Sequence, residues 1–177
     1  MTAKLRLGKG DMELLNGVKI MKDFITISGK VRAILRDEKT KEVKFDSGWQ
    51  KNLIPTVALT AILRRLGNEG TKTNEGMITY GAVGSGNVTP TIADTIMENE
   101  IGRKAISVTT VSGTTLTIEV FFTTTEGNGD ITQWALFGED ATASADTGTM
   151  FEHISFDVPF TKVNTETLTV EIEISIS

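Results

Sequence analysis

With 177 residues, 39% of them hydrophobic and 23% charged, the chain can bury one core, and no apolar run approaches the ~20 residues of a membrane-spanning helix. It has no cysteine, which excludes disulfides, thiolate nucleophiles and cysteine zinc sites and fits synthesis in a reducing cytosol. The net charge of −5 is split: residues 1–72 hold 15 Lys/Arg against 8 Asp/Glu, and residues 73–177 hold 3 against 15, which reads either as a chance imbalance of solvated surfaces or as a basic segment facing an acidic partner such as an identical copy.

Residues 1–22 read as an N-terminal arm. "LRLGKGDMELLNG" has glycines at 8, 10 and 17, no sustained period, and Leu5, Leu7, Met12, Leu14, Leu15 and Ile20. A segment this apolar packs on its own domain or on a neighbour. It has no continuous apolar stretch followed by a small-residue cleavage site, so no signal peptide is expected. The Lys and Arg residues alternate with Asp and Glu and have no aromatic interleaving, which argues against nucleic acid as the partner.

From residue 23 to 177 the expectation is one antiparallel β-sandwich with one or two short helices. "FITISGKVRAIL", a polar turn "RDEKTKE" and "VKF" predict a hairpin. Pro55 opens a helix expected over 55–66, in which Ala58, Leu59, Ile62, Leu63 and Leu66 repeat at helical spacing. These five are read as core, with Gly67 closing the helix and Arg64 and Arg65 complementing its dipole. "MITYGAV" predicts a short strand, and residues 91–101 are read as a second, short helix.

The last third is strongly β. Strands are expected on both sides of Ser112-Gly113 and over "ITQWALFG", with Trp134 in the core. Residues 139–149, "EDATASADTGT", read as an exposed, mobile loop, and Pro159 argues against extending the strand begun by "MFEHISFDV" in a central position. "TLTVEIEISIS" puts Leu168, Val170, Ile172, Ile174 and Ile176 on one side and Thr169, Glu171, Glu173 and Ser175 on the other, the pattern of a half-buried antiparallel strand.

Candidate chemistry is sparse. The glycine segment "YGAVGSGNVTP" reads G-x-x-G-x-G at Gly81, Gly84 and Gly86, the wrong order for a dinucleotide loop, and no Gly-Lys-Ser/Thr follows. It is read as a structural turn. Glu126, Asn128 and Asp130 alternate like the start of a calcium loop, but glycines at 127 and 129 and the missing distal Glu favour a hairpin turn. His153 is the only histidine, and no G-x-S-x-G elbow accompanies it. No metal, cofactor or catalytic set is expected.

The order of segments carries more than any one of them. "W-Q-K-N-L-I" at 49–54 is followed by a helix, by "I-x-x-x-A-V-G-x-G" from Ile78 to Gly86, and by "T-P-T-x-x-D-T-x-x-x-x-E-I-x-R" from Thr89 to Arg103. Then come "V-S-G-x-T-L-T" at 111–117, "E-G-N-G-x-I-x-x-x-x-L-F" at 126–137, "G-x-M" at 148–150 and a final "T-L-T-V-x-I-x-I-x-I". This ordered set, over about residues 30–177, resembles tailed-bacteriophage virion structural proteins of the tail-fibre, tail-associated and capsid-decoration type. The resemblance implies a non-enzymatic role in the virion, with other virion proteins as partners, synthesis in the host cytoplasm, and a homo-oligomer for which a trimer or a hexamer is natural.

On this reading the expected interface residues are Lys4, Leu5, Arg6, Leu7, Met12, Leu14 and Leu15 in the arm, Trp49 as an anchor, and Glu100 and Arg103 as an i,i+3 pair if their segment is helical. The bland reading of that pair is a local surface salt bridge. The strand over 167–176 is expected to offer a sheet edge. The first alternative is a capsid decoration protein on the head surface. The second is a carbohydrate- or host-surface-binding module, which the Thr-rich faces permit and the small number of Trp and Tyr residues weakens.

Overall fold

The computed structural model describes residues 26–177 throughout and, ahead of them, the strands β1 (Lys4–Leu7), β2 (Gly10–Leu15) and β3 (Val18–Lys22). These three form an antiparallel sheet in the order β1-β2-β3. The segment read as an arm thus contains three described strands; residues 1–3, 8–9, 16–17 and 23–25 lie outside the described residues.

The body is built from β4 (Ile27–Asp37), β5 (Val43–Asp46), β6 (Gln50–Lys51), α1 (Thr56–Gly67), β7 (Ile78–Gly84), β8 (Glu100–Ala105), β9 (Val108–Ser112), β10 (Thr115–Phe122), β11 (Gly129–Gly138), β12 (Thr149–Lys162) and β13 (Glu166–Ile176). Two antiparallel sheets pack face to face as a β-sandwich. One runs β5-β4-β13-β10-β9, with β6 also paired to β4, and the other runs β12-β11-β7-β8.

The alternation of β13 does what its sequence predicts at one end. Leu168, Val170 and Ile172 are fully buried, while Glu171 and Glu173 face outward, where they meet Arg32 and Lys30 of β4. Opposing them across the sandwich are Val83, Ile131, Trp134, Leu136, Phe151 and Ile154. Trp134 packs edge-on to Phe122, with ring centroids 6.3 Å apart. Gly81 is required here: a Cβ at that position would collide with the Trp134 ring.

The sheet containing β11 is covered on both faces, which explains why "WALFG" reads as a continuous apolar run rather than an alternating one. Ala82, Ala135, Phe137 and Met150 lie on its outer face, under Met97 from the 85–99 segment and Ala141 from the 139–148 turn.

Four expectations are decided by the structure, three of them as corrections. First, β13 is not an edge strand: it pairs with β4 on one side and β10 on the other. The edges of its sheet are β5 and β9, and those of the other sheet are β12 and β8. Second, the strand carrying Pro159 is not central, as expected: β12 runs through the proline as the edge strand of its sheet. Its register against β11 jumps between the pairs Gln133–Ser155 and Ile131–Phe160, so the proline sits in an irregularity of an edge strand, where its missing N–H is tolerated. Third, residues 91–101 hold no helix; they form turns leading into β8, and the chain described here has one helix. Fourth, α1 ends one residue later than expected, on Asn68 in the left-handed conformation (φ 51°), a role asparagine fills when glycine does not.

Candidate interaction surface

Helix α1 sits beside the sandwich and shows how the apolar surface arises. Its inner contact is made by Ala58 and Ala61, both fully buried. These small side chains let the helix approach closely but use only part of a wide apolar arc. Leu59, Leu63 and Leu66, at i, i+4 and i+7, form a second stripe that is 41%, 67% and 78% exposed. Reading them as core is therefore a correction: a wide apolar arc was interpreted as one buried face. Together with Ile27, Ile54, Ile62, Ile92 and the end of β13, the stripe lines an open depression. A second depression, beside the exposed edge strand β9, continues from it past Ile174, Ile176, Met77 and Val111. The apolar row of β13 thus runs out of the core and into this surface.

The helix is held by a buried charge cluster. Glu139, fully buried, accepts two hydrogen bonds from Arg64 Nη2 at 2.7 and 2.8 Å, an ion pair from Lys72 Nζ at 3.1 Å, and a hydrogen bond from the Thr149 hydroxyl. Arg64 Nε also donates to Glu75 at 2.7 Å, and the backbone N–H of Lys72 donates to the same carboxylate. Burial pushes the Glu139 carboxyl up, but hydrogen bonds from Thr149, Arg64 and Lys72 outweigh it and hold the pKa at about 2. The cluster ties the C-terminus of α1 to the 68–76 loop and to the β11–β12 connection. The expectation of an exposed 139–149 loop fails at its first residue for this reason.

Arg103 and Glu100 secure the rest of that loop. They pair at 2.7 Å although they lie on strand β8, where i and i+3 normally face opposite sides. A register shift opposite Val83 and Gly84 returns both to one face. The pair is neither helical nor on the surface: the side chains are 1% and 3% exposed. Arg103 lies over the Phe137 ring at 4.1 Å and donates to the Thr147 carbonyl at 2.8 Å. The two residues brace the interior and are removed from the surface set.

The other expected interface residues are spread out. Trp49 is 40% exposed on the charged outer face of the β4–β13 sheet, with Lys30 Nζ 4.5 Å from its ring centroid. Lys4, Leu5, Arg6 and Leu7 fall in β1, and Met12, Leu14 and Leu15 in β2; their side chains lie outside the described residues.

The glycine segment closes on its own protein. The backbone N–H groups of Asn87 and Val88, which could cradle an anion, donate to the Glu98 carboxylate at 2.8 and 3.1 Å. Glu126, Asn128 and Asp130 do not converge: they meet Lys104, Lys162 and Thr161 respectively. His153, buried, pairs through Nδ1 with Asp94 at 2.7 Å, and its Nε2 is buried with no hydrogen-bond partner among the described residues. Among the described residues no hydroxyl hydrogen-bonds that nitrogen, and the pair pins the 85–99 segment to β12.

Glu152 is, with Glu139, a fully buried carboxyl among the described residues. Asn52 and the Trp134 indole lie nearest it, but neither completes a hydrogen bond with it, and burial pushes its pKa up to about 8. Comparison with family models, with curated proteins and with solved structures returned no match for this chain.

Proposed function

We propose that the chain is a non-enzymatic structural module of a tailed-phage virion, placed at the tail, baseplate or fibre base, which assembles with neighbouring subunits through its N-terminal segment and open sheet edges. The ordered segment pattern supports the virion class. The observation that carries the assembly role is the exposed apolar surface of Leu59, Leu63, Leu66 and Ile92 beside a rigidly braced helix. Apolar groups clustered in this way on a protein surface mark interaction sites. Edge strand β9, exposed along its whole length, offers a second place for pairing.

Deletion of residues 1–22 is expected to leave the sandwich folded and to abolish its incorporation into particles. Circular dichroism would follow the fold, and immunoblots of purified particles would follow incorporation. A truncated protein incorporated like the full chain would refute a role for the arm in assembly.

A further inference from the structure

We infer that edge strand β9 pairs antiparallel with β9 of a second copy of this chain, about a two-fold axis at Thr110, so that the β5-β4-β13-β10-β9 sheet runs on from one copy into the next. The inference rests on the assembly reading above and names the partner, the strand and the register. Among the described residues four strands end the two sheets of the sandwich, and three of them are guarded against pairing. β5 is short and carries Lys44 and Asp46. β8 carries Glu100, Arg103 and Lys104 and a register shift. β12 carries Pro159 and a register shift, and Leu53 covers part of its edge through reciprocal backbone bonds with His153 of 3.0 and 2.9 Å. Charge, proline and bulges are the devices that keep sheet edges apart. β9, "VTTVS", has none of them: it is uncharged, β-branched from Val108 to Val111, regular in register against β10, and exposed at every residue.

The hairpin decides which groups of β9 point outward. β9 and β10 join through Gly113-Thr114, with Gly113 at φ 58°, and the closing pair Ser112–Thr115 of such a two-residue loop exchanges hydrogen bonds, as does every second pair beyond it. On the other side of β10 the Thr114 carbonyl accepts from the Ile176 N–H of β13 at 3.0 Å, which fits the same alternation. The main-chain groups of Val108, Thr110 and Ser112 therefore turn to β10, and those of Thr109 and Val111 turn outward. A two-fold axis at Thr110 sets Thr109 opposite Val111 of the second copy and Val108 opposite Ser112, so the outward groups of the two strands satisfy one another. Because β9 holds no charge, a second copy brings no like charges together across the seam. The side chains agree. Val111 and Thr109 stand beside Leu116 and Ile118 on the face that lines the second depression, and Val111 is 70% exposed there. Pairing sets the depressions of both copies side by side on one face of the joined sheet. A two-fold contact is self-complementary and closed, so it consumes both edges.

The absence of native cysteine gives a direct test, because each introduced thiol is unique. Thr110→Cys in the full-length chain is expected to form a disulfide-linked dimer on mild oxidation, because a non-hydrogen-bonded pair on the axis holds its Cα atoms about 4.5 Å apart, within disulfide reach. Val108→Cys is expected to give no such dimer alone and a heterodimer when mixed with Ser112→Cys. A Thr110→Cys chain that stays single, or a Val108→Cys chain that cross-links with itself equally well, would overturn the inference. Val111→Lys sets two like charges at diagonal positions about 7 Å apart and is expected to weaken self-association by about tenfold or more in sedimentation velocity, with an unchanged urea midpoint. Association equal to that of the parent chain would count against the seam. If Thr110→Cys gives no dimer but is still incorporated into particles, the inference falls and the assembly reading stands. If it is also absent from particles, both fall.

Discussion

Ile172→Asp should abolish the folded state. Ile172 is fully buried at the centre of the sandwich, flanked in the sheet by Ile118 on β10 and Val31 on β4, both also in the core. The substitution removes an aliphatic side chain, at roughly 2–5 kcal/mol for truncations of this kind, and adds an acid with no partner, at several kcal/mol more. Against the roughly 5–15 kcal/mol of a typical domain, most of the stability is lost. Circular dichroism with urea titration would show it. Ile176→Asp makes the control: that residue belongs to the same apolar row but is 47% exposed, so it should unfold near the parent midpoint. A stable Ile172→Asp protein would contradict the assignment of faces on β13.

Glu139→Gln and Glu152→Gln should change stability in opposite directions. Glu139 is held at about 2 in the folded chain against an ordinary 4.5, so its ionised form contributes stability that is complete above pH 4.5 and is lost as pH falls toward 2. Replacing it leaves Arg64 and Lys72 facing a neutral amide. The loss should be about 3 kcal/mol at pH 7, the low end for a broken buried pair, because both cations are partly exposed. Glu152 is shifted the other way, from 4.5 to about 8. Between those values the unfolded chain is ionised and the folded chain holds its proton, so stability falls as pH rises. Glu152→Gln should therefore raise stability at pH 7 by roughly 3 kcal/mol and flatten the slope between pH 4.5 and 8. Urea denaturation across pH 3–9 measures both. A Glu152→Gln protein less stable than the parent at pH 7 would mean that the carboxyl has partners in the core.

Local pattern made much of this fold readable. The period-2 rows of β13 and β10, the helix after Pro55 and the turn at Gly113 all follow from residues close together in sequence. What escaped depends on residues far apart. Glu139 looks like the start of a polar loop until Arg64, 75 positions earlier, is folded onto it. Glu100 and Arg103 have helical spacing, and only the irregular pairing with β7 shows how a strand can present them together. Pro159 argues against a central strand, but the edge irregularity it occupies is visible only once the register with β11 is known. The candidate surface was half legible. The leucines of α1 were plain at helical spacing, but Ala58 and Ala61 alone do not reveal which part of the arc faces the sheet.

The central claim, that this chain is a structural part of a virion tail, is tested most directly by immunogold electron microscopy with antibody against the chain, on phage particles from cells that encode it. Gold confined to the tail or its tip is the predicted result. Gold over the whole head would make the chain a decoration protein and contradict the tail placement. Particles that stay unlabelled, even after mild disruption exposes masked epitopes, would contradict the virion reading altogether.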